Sequence, residues 1–254
     1  MNKSVIIRGK IFPKYTQASI DSIRKWHKGE LILSTWKNQE ENKIEGIDKL
    51  ILSDDPGSGP VQQSNRQIVS YSEGLKNCEG DVILVTRSDI VHQKDIFQYF
   101  NTLKKYDNKF KIFSERLIVS NMMTIDPEKN HPDVVGDINK YFRVCDWFQV
   151  GYKHDLIKWI DVKNVFEEYK HSGLCTEQLW LAGLIKKHYS SLFDINDVLK
   201  YKFIFWNLLI NNFHIINMKS TANAINLNWF NQPENLGCYL MEEKYLEIYN
   251  KIIF

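Results

Sequence analysis

The first ninety residues alternate between two hydrophobic periods. Val5-Ile6-Ile7, Leu31-Ile32-Leu33, Leu50-Ile51-Leu52 and Val82-Ile83-Leu84-Val85 are continuous apolar runs. Each is too short for a typical globular helix and rich in residues that favour a pleated, buried surface, so each predicts a strand. Between them the spacing becomes helical. Ile20, Ile23 and Trp26 share one face, with Thr16 as candidate N-cap and Gly29 as stop; Asn65, Ile68, Val69, Ser72 and Leu75 share another, closed near Gly80. Strands alternating with crossovers predict an α/β, Rossmann-type, mainly parallel sheet flanked by helices. Right-handed crossovers would set all four strand ends on one edge of it.

Beyond Asp89 the regularity falls. Ile96, Phe97, Phe100 and Leu103 suggest a helix, and 111–113 and 117–119 suggest strands. Residues 124–137, with Pro127, Pro132 and Gly136, read as a long surface loop, and 142–151 as a strand. Thr176 opens a run to residue 187 that reads as an amphipathic helix with a good N-cap, and 241–254 reads as a closing helix. Residues 201–218 are strongly apolar but carry Lys202, Asn207, Asn211, Asn212, His214 and Asn217. So many polar groups are costly in hydrocarbon, so the segment predicts a buried helix running into a strand near 212–216.

Composition narrows the class. A chain of 254 residues, 43% hydrophobic and 25% charged, is long enough for one domain with a sizeable core. A net charge of +2 without a basic stripe gives no reason to expect nucleic acid as partner. The apolar run at the start is too short for a signal peptide, which predicts a cytoplasmic protein. Cys78, Cys145, Cys175 and Cys238 are scattered without a CxxC pair and read as reduced thiols. The seven histidines show neither HxH nor HExxH spacing, and no Walker loop or GxSxG is present.

Candidate chemistry gathers where strands end. Arg87-Ser88-Asp89 follows the fourth run directly, and ligands of open α/β sheets bind outside the carboxyl ends of strands. The triplet favours ligand binding over the plainer alternative, an Arg–Asp pair that ends a strand. Arg8 and Gly9 follow the first strand, and Asp54, Asp55 and Gly57 the third; both also read as plain turns. Asn65 and Arg66 open the helix after a glycine-rich loop, a setting that attracts phosphate or merely faces solvent.

VIIRG at 5–9, STW at 34–36, DPG at 55–57, NRQ at 65–67 with Gly74-Leu75, RSD at 87–89, DWF at 146–148 with Gly151, and TEQ at 176–178 complete a pattern, to which Asn211-Asn212-Phe213 can be added. Together they make the chain resemble the WavE-type lipopolysaccharide synthesis family, bacterial proteins similar to GT-A glycosyltransferases. The resemblance implies a GT-A-like domain over 1–254, with 1–92 binding a nucleotide-activated donor and 93–254 the acceptor. It implies transfer of a sugar onto a lipopolysaccharide, capsule or related surface glycan, at the inner face of the inner membrane with a peripheral membrane contact. Arg8, Gly9, Asp54, Asp55, Asn65, Arg66, Arg87, Ser88 and Asp89 become donor-site candidates. Where GT-A enzymes carry Asp-x-Asp, this chain has Arg87-Ser88-Asp89. Asp89 would hold a divalent cation, magnesium or manganese, or Arg87 would perform part of the metal's task. Asp146 and Trp147 would meet the acceptor sugar, and Glu177 would act as catalytic base of an inverting transfer, with Asp146 next in line. Two rivals stay open: a non-catalytic nucleotide- or glycan-binding subunit of an assembly complex, and a transferase of a non-sugar unit such as an alditol phosphate.

Overall fold

A computed structural model describes residues 1–39, 44–122, 124–129, 141, 143–172, 174–190, 198–218, 221–224 and 240–253. The four apolar runs form β1 (Lys3–Arg8), β2 (Glu30–Trp36), β3 (Lys49–Ser53) and β4 (Val82–Arg87), all parallel, in the spatial order β3-β2-β1-β4. Their continuity has a simple cause: the inner strands are covered on both faces. Val5 and Ile7, Leu31 and Leu33, and Val82 and Leu84 point into one core. Ile6, Ile32, Ile83 and Val85 point into the other. Helix α1 (Pro13–Arg24) covers the first core through Ile20 and Ile23; α2 (Ser64–Asn77) covers the second through Tyr71 and Leu75.

The sheet continues through β7 (Phe148–Tyr152), antiparallel to β4, then β6 (Leu117–Ser120), antiparallel to β7, then β8 (Phe213–Ile216), parallel to β6. The result is a seven-stranded, mostly parallel α/β sheet with flanking helices, as the hydrophobic pattern predicts. A two-stranded sheet joins β5 (Ile90–His92) to β9 (Ala222–Ala224). Helices α3 (Lys153–Ile160), α4 (Lys163–Glu168), α5 (Thr176–His188) and α6 (Val198–Asn212) follow β7, and a last helix spans Glu242–Ile253. The polar-studded apolar segment is indeed a helix, α6, running directly into β8. No helix among the described residues is long and apolar enough to cross a membrane.

Several local expectations fail for physical reasons. Helix α1 begins at Pro13, whose fixed φ suits a first turn, and Thr16 sits inside that turn with its hydroxyl accepting from the Phe12 amide at 3.0 Å. The sequence predicts a polar loop over 35–38 after the second strand, but Thr35 and Trp36 prolong β2, because Trp36 pairs with Ser53 of β3. The predicted 96–103 helix shrinks to a 3₁₀ turn, Ile96–Tyr99, and 111–113 forms no strand. Of the predicted 142–151 strand only Phe148 onward pairs, and residue 142 and the 130–137 part of the predicted loop lie outside the described residues. Helix α5 is not amphipathic. Every residue from Gln178 to Ile185 is buried, and Cys175 rather than Thr176 caps it, in a capping box with Gln178. Cys78, Cys145 and Cys175 are free thiols; Cys238 lies outside the described residues.

Candidate active site

The strand order reverses at the β1–β4 boundary. The chain steps from β1 outward to β2 and β3, then returns to lay β4 on the opposite side of β1. Such a switch point opens a crevice at the carboxyl ends of the two strands. Here a cavity of about 400 Å³ occupies it. Arg8, Gly9, Arg66, Arg87, Ser88 and Asp89, six of the predicted donor-site residues, line its wall. Register explains the pairing: Arg8 and Arg87 end β1 and β4 as direct partners. Gly9 then turns the chain with φ +109°, a conformation that favours glycine, while the Ser88 amide donates to the Arg8 carbonyl at 3.0 Å.

The charges of the cavity are organised in pairs. Arg87 grips Asp89 with two hydrogen bonds, Nε to Oδ1 at 3.0 Å and Nη2 to Oδ2 at 2.7 Å. Burial works against the Arg87 charge, yet Asp89 outweighs it and holds the guanidinium above its ordinary pKa. Arg66 forms a like fork with Asp55, at 2.8 and 2.7 Å, which keeps the Asp55 carboxyl below the usual range. Arg8 is buried; its Nη2 donates to the Asp146 carbonyl at 2.6 Å and lies 3.5 Å from that residue's carboxylate. The Arg8 Nε has no partner. The remaining wall includes Lys10, Phe12, Trp36, Gln63 and Gln67. Sequence reading missed these, although Trp36 and Gln67 stand in the STW and NRQ runs, and Lys10 two places after Arg8.

Behind Arg8 lies a carboxylate pair. Burial first, then the nearby Glu177 charge, pushes Asp146 up to about 6, against the pull of Arg8 and Arg87. Glu177, in the first turn of α5, keeps its Oε2 buried without a hydrogen-bond partner. The α5 start is tied to the cavity rim, since the Thr176 hydroxyl donates to Gln62 Oε1 at 2.8 Å. Trp147 corrects an expectation. It is 3% exposed, packs in the first core, and lies 5.0 Å below the Arg87 guanidinium, so its ring offers no open surface to a sugar. Asp146, equally buried, cannot present its carboxyl to bulk solvent either. Asp54 is also displaced: it is exposed, paired to Lys37 at 2.8 Å, and outside the cavity wall. Asn65 braces the preceding loop, its amide donating to the Pro56 carbonyl at 3.5 Å.

The donor set does not fit a divalent cation. Among the described residues Asp89 is the sole carboxylate in the cavity wall, and both its oxygens are taken by Arg87. The Ser88 hydroxyl is turned away, donating to the Lys10 carbonyl at 2.5 Å. No three His, Cys, Asp or Glu residues group as metal ligands among the described residues. A hard cation needs a nearly complete oxygen shell, of which this wall supplies little.

Among solved structures, the chain is similar to galactosyltransferase LgtC in complex with donor and acceptor sugar analogs. That likeness has 14% identity and a TM-score of 0.47, over 98% of this chain and 95% of that one. It is also similar to the apo-form glycosyltransferase GlyE of Streptococcus pneumoniae TIGR4, at 13% identity and a TM-score of 0.41, over 74% of this chain and 44% of that one. At TM-scores below 0.5 these likenesses carry no functional weight. No curated protein matches the chain. The family model for WavE lipopolysaccharide synthesis matches residues 4–235, and the chain belongs to that family.

Proposed function

We propose that this chain is a glycosyltransferase that moves a sugar from a nucleotide-activated donor to a saccharide acceptor in the synthesis of lipopolysaccharide or a related surface glycan. The observation that carries this reading is the cation-rich cavity at the sheet's switch point, in a member of a lipopolysaccharide synthesis family. The donor's phosphates face Arg8, Arg66 and Arg87, whose planar forks match phosphate oxygens. Trp36 and Phe12 offer apolar wall beside them. The acceptor is a lipid-linked saccharide met at the inner face of the membrane.

In the transfer, an acceptor hydroxyl oxygen forms a bond to the anomeric carbon. The bond from that carbon to the phosphate oxygen breaks, and its electron pair leaves with the nucleoside diphosphate. The hydroxyl proton passes to a carboxylate, for which the half-buried Glu177 is the candidate, its Oε2 having no hydrogen-bond partner. Asp146 acts as a positioning residue, setting the charge around Glu177 and anchoring Arg8. A direct displacement of this kind inverts the anomeric configuration.

Glu177→Gln tests the assignment. Nucleotide affinity should persist while transfer falls by about a hundredfold to ten-thousandfold. The wild-type product should show inverted configuration by NMR. Near-normal turnover in the variant, or a retained configuration, would remove Glu177 from this role. The nucleotide released distinguishes the rivals: a sugar transfer leaves a nucleoside diphosphate, an alditol-phosphate transfer a monophosphate, and a binding subunit neither.

A further inference from the structure

We propose that the donor's diphosphate is held, and its departing charge neutralised, by Arg8, Lys10, Arg66 and Arg87 without a divalent cation. The inference rests on the donor-pocket reading above and adds what does the holding.

Register is the first argument. Arg8 and Arg87 are direct partners on neighbouring parallel strands, roughly 4.8 Å apart along the sheet. Like charges so placed repel unless something negative lies between or beside them. Asp89 and Asp146 supply part of that compensation and stop there. Arg87 uses two of its five N–H donors on Asp89, and its side chain is 31% exposed towards the cavity. Arg8 keeps a buried Nε with no acceptor, an uncommon and costly state for a guanidinium. Arg66 is likewise 31% exposed, and Lys10 lies on the same wall.

The second argument is the carboxylate. Asp89 has a side chain only 2% exposed and both oxygens in the Arg87 fork. A cation would have to strip Arg87 from it, then sit beside Arg8, Lys10 and Arg66 on a wall whose other nearby carboxylates, Asp55 and Asp146, are already engaged by Arg66 and Arg8. Coulomb repulsion disfavours that arrangement, whereas a diphosphate is attracted by Lys10 and by the guanidinium donors that Asp55, Asp89 and Asp146 leave unused. Asp89 therefore aims Arg87 at the phosphate: its fork fixes the guanidinium plane, a pre-organisation that a free arginine lacks.

Calorimetric titration of the full chain with UDP, GDP and CDP, in EDTA and then in magnesium or manganese, tests the proposal. At least one nucleotide should bind, with a Kd that chelation changes by less than about threefold. Arg87→Ala should weaken that binding by about ten- to a hundredfold, the loss of a charge-assisted hydrogen bond. Because Arg87→Ala strands Asp89 in a buried site, Arg66→Ala, at the surface, serves as the second variant and should weaken it in the same direction. Binding that appears only with the cation, or tightens tenfold or more, would overturn cation independence while leaving the donor pocket standing. Wild-type affinity in both variants would overturn the assignment of these side chains. Absence of binding under every condition would overturn the pocket reading and this proposal together.

Discussion

At the β1–β4 crevice charged side chains end in a solvent-reached cavity, whereas at the β6–β8 side they end on the backbone. Arg66 and Arg87 hold carboxylates and remain 31% exposed. Arg116, just before β6, is 2% exposed and donates to three main-chain carbonyls: Ile210 at 2.6 Å, Leu103 at 2.8 Å and Lys105 at 2.6 Å. Its guanidinium also lies 4.0 Å from the Tyr106 ring centre. Asn211 and Asn212 behave alike. Their side-chain oxygens accept from the Asp107 and Ile112 amides at 2.7 and 2.6 Å. They pin an irregular stretch that has no ladder of its own, and every backbone group there needs a partner. Burial of a polar residue therefore does not by itself mark a site in this protein. What separates the two regions is where the remaining donors point.

The largest expected effect lies on the backbone-bracing side. Arg116→Ala removes three hydrogen bonds to the backbone, one of them to the buried Ile210 carbonyl, and should destabilise the fold by ~3 kcal/mol or more, read by denaturant unfolding. Nucleotide affinity, measured where the variant is still folded, should not change. A variant that unfolds normally but binds nucleotide poorly would erase the contrast between the two regions.

A smaller effect is expected at the carboxylate pair between them. Folding raises the Asp146 pKa from its ordinary 3.8 to about 6, so the folded state holds its proton more tightly than the unfolded chain. The resulting stabilisation is full below the unfolded value and is lost as pH rises through about 6. Wild-type melting temperature should therefore decline across that window, and Asp146→Asn should flatten the decline. An unchanged slope in the variant would place the titration elsewhere.

The smallest effect is predicted for Asp54. Its ion pair with Lys37 is exposed and stands outside the cavity wall. Asp54→Ala should leave the denaturant-unfolding midpoint and the nucleotide affinity at the wild-type level. A clear loss of affinity would extend the donor site to the end of β3.

Much of the first half was legible because its physics is local. A strand buried on both faces must be apolar throughout, so β1, β2 and β4 announce themselves, and parallel crossovers then fix which ends share an edge. Arg8 and Arg87 were recognisable as strand-end residues for that reason. Helix α5 misled because Thr176 resembles a cap and Lys186 and Lys187 resemble a polar face, while the segment between them is buried, with α3 and α4 packed against it. Ile112 and Phe113 are apolar yet form no strand; the Asn212 side chain accepts both their amides.

By itself the sequence determined the α/β class, the strand ends on which charge collects, and the family motifs, all of which depend on residue type and short spacing. Only the tertiary structure decided that Arg87 commits its Nε and Nη2 to Asp89, that Trp147 lies beneath that pair and not against a ligand, and that Glu177 approaches Asp146 from a distant helix. Those relations join residues by distance and by the dielectric around them, and neither quantity is written along the chain.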